Sequence, residues 1–128
     1  MFKTVEWKNN TVVMIDQTVL PEKEVYRKYK TYTEVAKAIK DMIVRGAPAI
    51  GVAAAMGCAL GALKSKASDM KGFSKEFDKI TSLMASTRPT AVNLFWAIER
   101  MKKVASENAA LGVDKLKKRL VQEARTIH

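Results

Sequence analysis

Residues 46–63 read GAPAIGVAAAMGCALGAL, eighteen positions without a single charge. A stretch of that kind is either a membrane span or a helix buried on every side. Seven alanines and four glycines make it only weakly apolar, and Pro48 stands near its start. No other segment is membrane-like, so a buried helix from about Pro48 to Leu63 is the reading taken, and no membrane is expected. Gly51, Gly57 and Gly61 then allow neighbouring backbones to come close. Cys58, inside this helix, reads as a small core residue rather than a nucleophile. A helix without a polar face needs partners all round it, and they are sought on both sides.

Upstream, the pattern is that of strands. Thr4-Val5-Glu6-Trp7 alternates, Val12-Val13-Met14-Ile15 is apolar and β-branched, and Asn9-Asn10 between them tolerates the positive φ of a tight hairpin. Leu20-Pro21 breaks the second strand, and Val25-Tyr26-Arg27-Lys28-Tyr29 supplies a third, edge strand. From Thr31 the period becomes helical. Thr31 and Glu34 form a capping-box pattern, with Val35, Ile39, Met42 and Ile43 on one face. Gly46 falls where a C-cap glycine belongs and Pro48 where the next helix starts.

Downstream, a third helix spans about Phe73 to Ala85, with Phe73, Phe77, Ile80 and Met84 in register. Arg88-Pro89 interrupts it. Thr90 can cap a fourth helix whose apolar face is Ala91, Leu94, Phe95, Ile98 and Met101, ending at Leu111-Gly112. A last helix carries Val113, Leu116, Leu120, Ala124 and Ile127. Its pattern runs into the final residues with no Gly, Asn or Pro to close it, as in a frayed helix or a piece of something longer. The expected fold is α+β: an antiparallel β-meander over residues 1–30, then a helical bundle over 31–128.

With 128 residues there is enough chain for one domain, and 48% hydrophobic against 28% charged residues is the balance of a soluble globular chain. One cysteine and one histidine, His128, exclude disulfide scaffolds, zinc fingers, paired-cysteine haem attachment and Ser-His-Asp hydrolysis. No metal site and no cofactor is expected. The first residues lack the apolar stretch of a signal peptide, which points to the cytosol. The net charge of +10 suits polyanions, sugar phosphates or an acidic partner surface. The charge is spread, its longest run being Lys117-Lys118-Arg119, and no basic stripe with interleaved aromatics is present, so nucleic acid is not the expected partner.

The two helix entrances carry the chemistry. In Arg45-Gly46-Ala47-Pro48 an arginine precedes a glycine turn at a helix N-terminus, where free N–H groups and little side-chain bulk suit an anionic oxygen. Arg45 could add a bidentate contact to phosphate, or equally pair with Asp41 one turn earlier. Ser86-Thr87-Arg88-Pro89-Thr90 repeats the arrangement. The two arginines could converge on one anion, or each could simply sit at the carboxyl end of the preceding helix.

Val44-Arg45-Gly46-Ala47-Pro48-Ala49-Ile50-Gly51-Val52-Ala53-Ala54, together with Arg88-Pro89-Thr90-Ala91-Val92-Asn93-Leu94-Phe95-Trp96-Ala97, resembles the N-terminal half of the methylthioribose-1-phosphate isomerases. The hairpin, Asp16-Gln17 and Leu20-Pro21 fit the same family in the same order, so the resemblance covers essentially the whole chain. It implies an aldose–ketose isomerisation of 5-methylthioribose 1-phosphate to 5-methylthioribulose 1-phosphate in methionine salvage. It further implies that Arg45, Gly46, Ala47 and Arg88 bind the sugar phosphate. The family's catalytic cysteine and aspartate, and the glutamine and Asn-Lys pair that complete its site, belong to a C-terminal Rossmann-like domain absent from these residues. Cys58 lies outside the cysteine motif. The resemblance therefore implies half a site, inactive alone, whose partners are the sugar phosphate and the C-terminal domain, with a homo-oligomer left open. The nearest alternative is a regulatory subunit related to the nucleotide exchange factor of translation initiation, acting by protein contacts. Ala47-Pro48-Ala49 and Asn93-Leu94-Phe95-Trp96 favour the isomerase. A ribose-1,5-bisphosphate isomerase and a free-standing basic helical binding module are the remaining rivals.

Overall fold

The computed structural model describes residues 4–19, 22–23, 25–44 and 46–127. Three strands, β1 (Val5–Lys8), β2 (Thr11–Ile15) and β3 (Tyr26–Tyr29), form an antiparallel sheet in the order β1-β2-β3. Asn9 and Asn10 have φ of 52° and 57°, the two consecutive left-handed residues of a type I′ hairpin, and they set the register Lys8 to Thr11 and Val5 to Met14. Val12 and Met14 point into the core from the central strand. Beyond β2 the chain makes a short 3-10 turn, Gln17–Val19. The expected break at Leu20-Pro21 lies outside the described residues.

Asp16 holds this corner together. It is buried, and its carboxylate accepts hydrogen bonds from the Thr18 hydroxyl and amide and from Arg27 Nε at 3.0 Å. Thr18 above all, and then Arg27, hold its carboxyl below the usual range against the opposing effect of burial.

Five helices follow: α1 (Tyr32–Lys40), α2 (Ala47–Leu63), α3 (Met70–Ser86), α4 (Val92–Glu107) and α5 (Val113–Thr126). The capping box at Thr31 and Glu34 is formed in full. The end of α1 departs from the sequence expectation. Its helix stops at Lys40, because Met42 takes a left-handed conformation (φ 63°). The amide of Met42 donates to Ile39 O at 3.2 Å and that of Ile43 to Ala38 O at 3.0 Å, which is a Schellman turn. Gly46 is accordingly not the C-cap of α1. It is the N-cap of α2, with φ 89°. Two other boundaries shift. The N-cap of α4 is Ala91 rather than Thr90, since Arg88 to Ala91 form a turn closed by Ala91 N–H to Arg88 O at 2.9 Å. At the chain's far end α5 closes at Thr126, with Ile127 extended and buried.

The charge-free helix α2 lies at the centre, in contact with β1, β2 and all four other helices. The glycines do what close packing requires. A Cβ on Gly61 would meet Ile80 Cδ1 at 2.8 Å and the Tyr32 ring at 3.0 Å, and one on Gly51 would meet the Asn93 carbonyl at 3.2 Å. Phe73, Phe77, Ile80 and Met84 of α3 enter the core as their spacing predicts, as do Leu116, Leu120 and Ala124 of α5. On α4, Leu94, Ala97, Ile98 and Met101 do so, whereas Phe95 stays exposed at the edge of the stripe. Among the described residues no helix is long and apolar enough to cross a membrane.

Candidate site at two helix entrances

The entrances of α2 and α4 open onto one depression of about 500 Å³, lined by Met42, Gly46, Ile50, Arg88, Ala91, Val92 and Asn93. The turn at Met42 and the positive φ of Gly46 bring the chain from α1 to this entrance. Close packing of α2 on α4, through Gly51 against Asn93, sets the two N-termini side by side.

These N-termini differ from the others. Helices α1 and α3 are closed by side chains: Thr31 Oγ1 accepts from the Glu34 amide, and Asp69 Oδ1 accepts from the Gly72 amide at 2.8 Å. Helix α5 also lacks a side-chain cap but has Asp114 in its first turn, whereas α2 and α4 have neither a side-chain cap nor an acidic residue there. Pro48 has no N–H, and the amides of Ala91 and Leu94 donate to Arg88 O and Ala91 O, but the amides of Val92 and Asn93 have no such partner among the described residues, and the positive ends of two helix dipoles lie at the depression.

Arg88 adds a full charge. It is half-buried, and among the described residues its guanidinium has no hydrogen-bonding or ion-pair partner. Most of the described arginines are engaged: Arg27 with Asp16, Arg119 with Glu123 at 2.9 Å, and Arg100 with Glu123 while lying over the Trp96 ring at 5.4 Å. Arg125 is also unpaired, but it is exposed. An unpaired guanidinium beside two uncapped helix N-termini is an arrangement suited to an anion.

Of the site residues expected from sequence, Gly46 and Arg88 are brought together in this depression. Ala47 begins α2 beside them. Arg45 lies outside the described residues. Its alternative partner Asp41 is engaged by Lys37 at 2.6 Å. Met42, Val92 and Asn93 line the depression too, without having been singled out as binding residues. Asn93 stands in the quoted Arg-Pro-Thr-Ala-Val-Asn motif, which could have drawn attention to it. Nothing in the sequence marks Met42, because its placement depends on a backbone torsion.

Cys58 is no candidate for chemistry. It is fully buried, and burial pushes its thiol up to about 12. Among the described residues no group of three His, Cys, Asp or Glu side chains is arranged to hold a metal ion.

The chain as a whole is similar to several known proteins. The chain is 56% identical, over 96% of its length, to the methylthioribose-1-phosphate isomerase of Geobacter sulfurreducens, and 54% identical over its whole length to that of Koribacter versatilis. It spans 36% of each of those proteins. Crystal structures give the same picture. 5-Methylthioribose 1-phosphate isomerase from Pyrococcus horikoshii superposes with a TM-score of 0.95 at 48% identity, covering 99% of this chain and 36% of that one. Translation initiation factor eIF-2B subunit delta from A. fulgidus superposes with a TM-score of 0.91 at 37% identity, with the same coverage. The model of the Initiation factor 2 subunit family matches residues 43–128, from just before the first helix entrance to the end, and it is to this family that the chain belongs.

Proposed function

We propose that these residues form the N-terminal, sugar-phosphate-binding domain of a methylthioribose-1-phosphate isomerase, working in the cytosol. The observation that carries this reading is the unpaired, half-buried Arg88 beside two uncapped helix N-termini. Arg88 holds the phosphate by a bidentate contact, the free first-turn amides of α2 and α4 complete the cradle, and Arg45, Gly46 and Ala47, which the family resemblance implies as binding residues, contribute to the same phosphate.

The reaction converts an aldose phosphate into a ketose phosphate. The ring must open, and a hydrogen must then move from C2 to C1, which takes an acid and a base in a site closed to water. Among the described residues lining the depression, none is suited to either task. Both come from the C-terminal domain, in the two thirds of the relatives' length that this chain does not span. The chain alone therefore binds but does not turn over. A regulatory role in translation initiation is the second reading, favoured by the likeness to eIF-2B subunit delta. The higher identity to the isomerases places it second.

A side-by-side titration tests the proposal. An open half-site should bind methylthioribose 1-phosphate in the millimolar range, about −4 kcal/mol, weakening with salt. Binding should disappear in Arg88→Ala and in the Arg45→Ala, Arg88→Ala double variant. Tighter binding to an oligonucleotide, indifferent to both arginines, would overturn it.

A further inference from the structure

The solvent side of α4 changes character along its length. Its outer positions follow one another at helical spacing as Val92, Phe95, Trp96, Glu99, Lys102 and Lys103. The second half is what a solvated face requires, three charged side chains with Lys102 paired to Glu99 at 3.6 Å. The first half is apolar and open: Val92 is 78% exposed, Trp96 56% and Phe95 38%. Helix α2 matches it. Between Pro48 and Ala62 the positions that escape full burial are Pro48, Ala49 and Val52, all in its first turns. The two open stretches meet. Pro48, Val52, Asn93 and Trp96 line one groove of about 390 Å³, together with Gly51 and the last described residue, Ile127. Among the described residues no charged side chain lines it, on a chain whose net charge is +10. Through Asn93 this groove adjoins the depression at Arg88.

We propose that this face, Val92, Phe95 and Trp96 of α4 with Pro48 and Val52 of α2, is the docking surface for the C-terminal domain. This rests on the function proposed above and assigns that domain its place. Three observations choose the occupant. The chain spans 36% of its isomerase relatives, which leaves a partner larger than the chain itself. Ile127 stands in the groove wall, so polypeptide joined beyond it starts on this face. An acid and a base that reach a ligand held by Arg88 must come from a domain seated beside that depression, and the groove adjoins it. A nucleic acid or an acidic protein would choose the basic surface instead. A second copy would bring another +10 against the first. Phe95 and Trp96 are the kind of large, stiff side chains that anchor an interface once covered.

The test compares the chain alone with a full-length chimera in which it replaces the matching part of the Geobacter sulfurreducens isomerase. Both are footprinted with hydroxyl radicals and read by peptide mass spectrometry. Phe95 and Trp96 should be labelled freely in the chain alone and several-fold less in the chimera. Leu111, 45% exposed past the other end of α4, should be labelled alike in both. Trp96→Glu gives Arg100 an i,i+4 partner in place of the ring. The melting temperature of the chain alone should then move by less than about 3 °C, while in the chimera Phe95 should regain the labelling it has in the chain alone. Trp96 as open in the chimera as in the chain alone, or protection of Leu111 in its place, overturns the surface. So does protection of Trp96 in the chain alone with the sedimentation of a dimer, which makes a second copy the occupant. A chimera that isomerises methylthioribose 1-phosphate with Trp96 open refutes the surface and leaves the function standing. A chimera with Trp96 protected and no Arg88-dependent binding of methylthioribose 1-phosphate does the reverse.

Discussion

Lys117 on α5 donates from Nζ to the carbonyl oxygen of Ser65 at 2.6 Å, across 52 positions of sequence. Ser65 is buried just past the end of α2, and its hydroxyl in turn donates to Glu76 of α3 at 2.7 Å. One lysine thus ties three helices where α2 leaves the core. Lys117→Met keeps the stem and removes the donor, leaving a part-buried carbonyl unsatisfied. The expected cost is about 1 kcal/mol, or roughly 3–5 °C in melting temperature. A melting curve identical to that of the parent would show that the contact contributes nothing.

The arginines should separate by role. Arg88→Ala removes a side chain that has no partner among the described residues, so thermal stability should change by less than about 0.5 kcal/mol. Arg100→Ala removes both the contact to Glu123 and the cover over Trp96. That loss should cost about 1–2 kcal/mol, kept modest because Arg100 is partly solvated. Equal destabilisation by the two variants would mean that Arg88 is structural after all.

Acid should weaken the fold through two carboxylates. Burial disfavours the charged form of Glu123, but hydrogen bonds from Arg100 and Arg119 outweigh it and hold this carboxyl below its ordinary value. Asp16 is held low by Thr18 and Arg27. A group whose pKa is lower when folded contributes stability that is complete above its unfolded value, about 4, and is lost as pH falls through the folded value. Melting temperature should therefore be level from about pH 5 to 7 and drop below about pH 4. The gap between the parent and Glu123→Gln should narrow over that same drop. A gap constant from pH 7 to pH 3 would contradict the assignment.

Met42→Gly should raise stability. Relief of the left-handed strain is worth about 1–2 kcal/mol, offset in part by glycine's extra freedom in the unfolded chain. A net gain of several tenths of a kcal/mol to about 1 kcal/mol is expected in chemical denaturation. A net loss would mean that the Met42 side chain packs more tightly than its exposure indicates.

Local chemistry made much of the fold legible in the sequence. Asn9-Asn10 could hardly be anything but a hairpin turn, and Thr31 with Glu34 spells out a helix start, because in both cases the residues that shape the backbone are the ones making it. The end of α1 was not legible. Met42 and Ile43 continue the helical period, and the chain turns on a torsion that no side chain announces. Phe95 likewise keeps the period of α4 yet stays outside, since α4 leans on α2 through Leu94, Ala97, Ile98 and Met101. At the candidate site, Arg88 is recognisable as an arginine at a helix entrance. Its lack of a partner is not, because that depends on which carboxylates the fold brings near, and here they gather around Arg27, Arg100 and Arg119.

The central position of α2 also governs how the molecule can come apart. A helix with one wet face can fray or detach while the remainder holds, but α2 has the sheet and four helices against it. No partial opening frees it. Beyond the open first turn, its hydrogen-bonded amides should meet solvent deuterium only when the whole domain opens, so their exchange rate reports the global free energy of unfolding. The two helix entrances, resting at the rim of that rigid axle, keep their spacing for as long as the domain is folded at all.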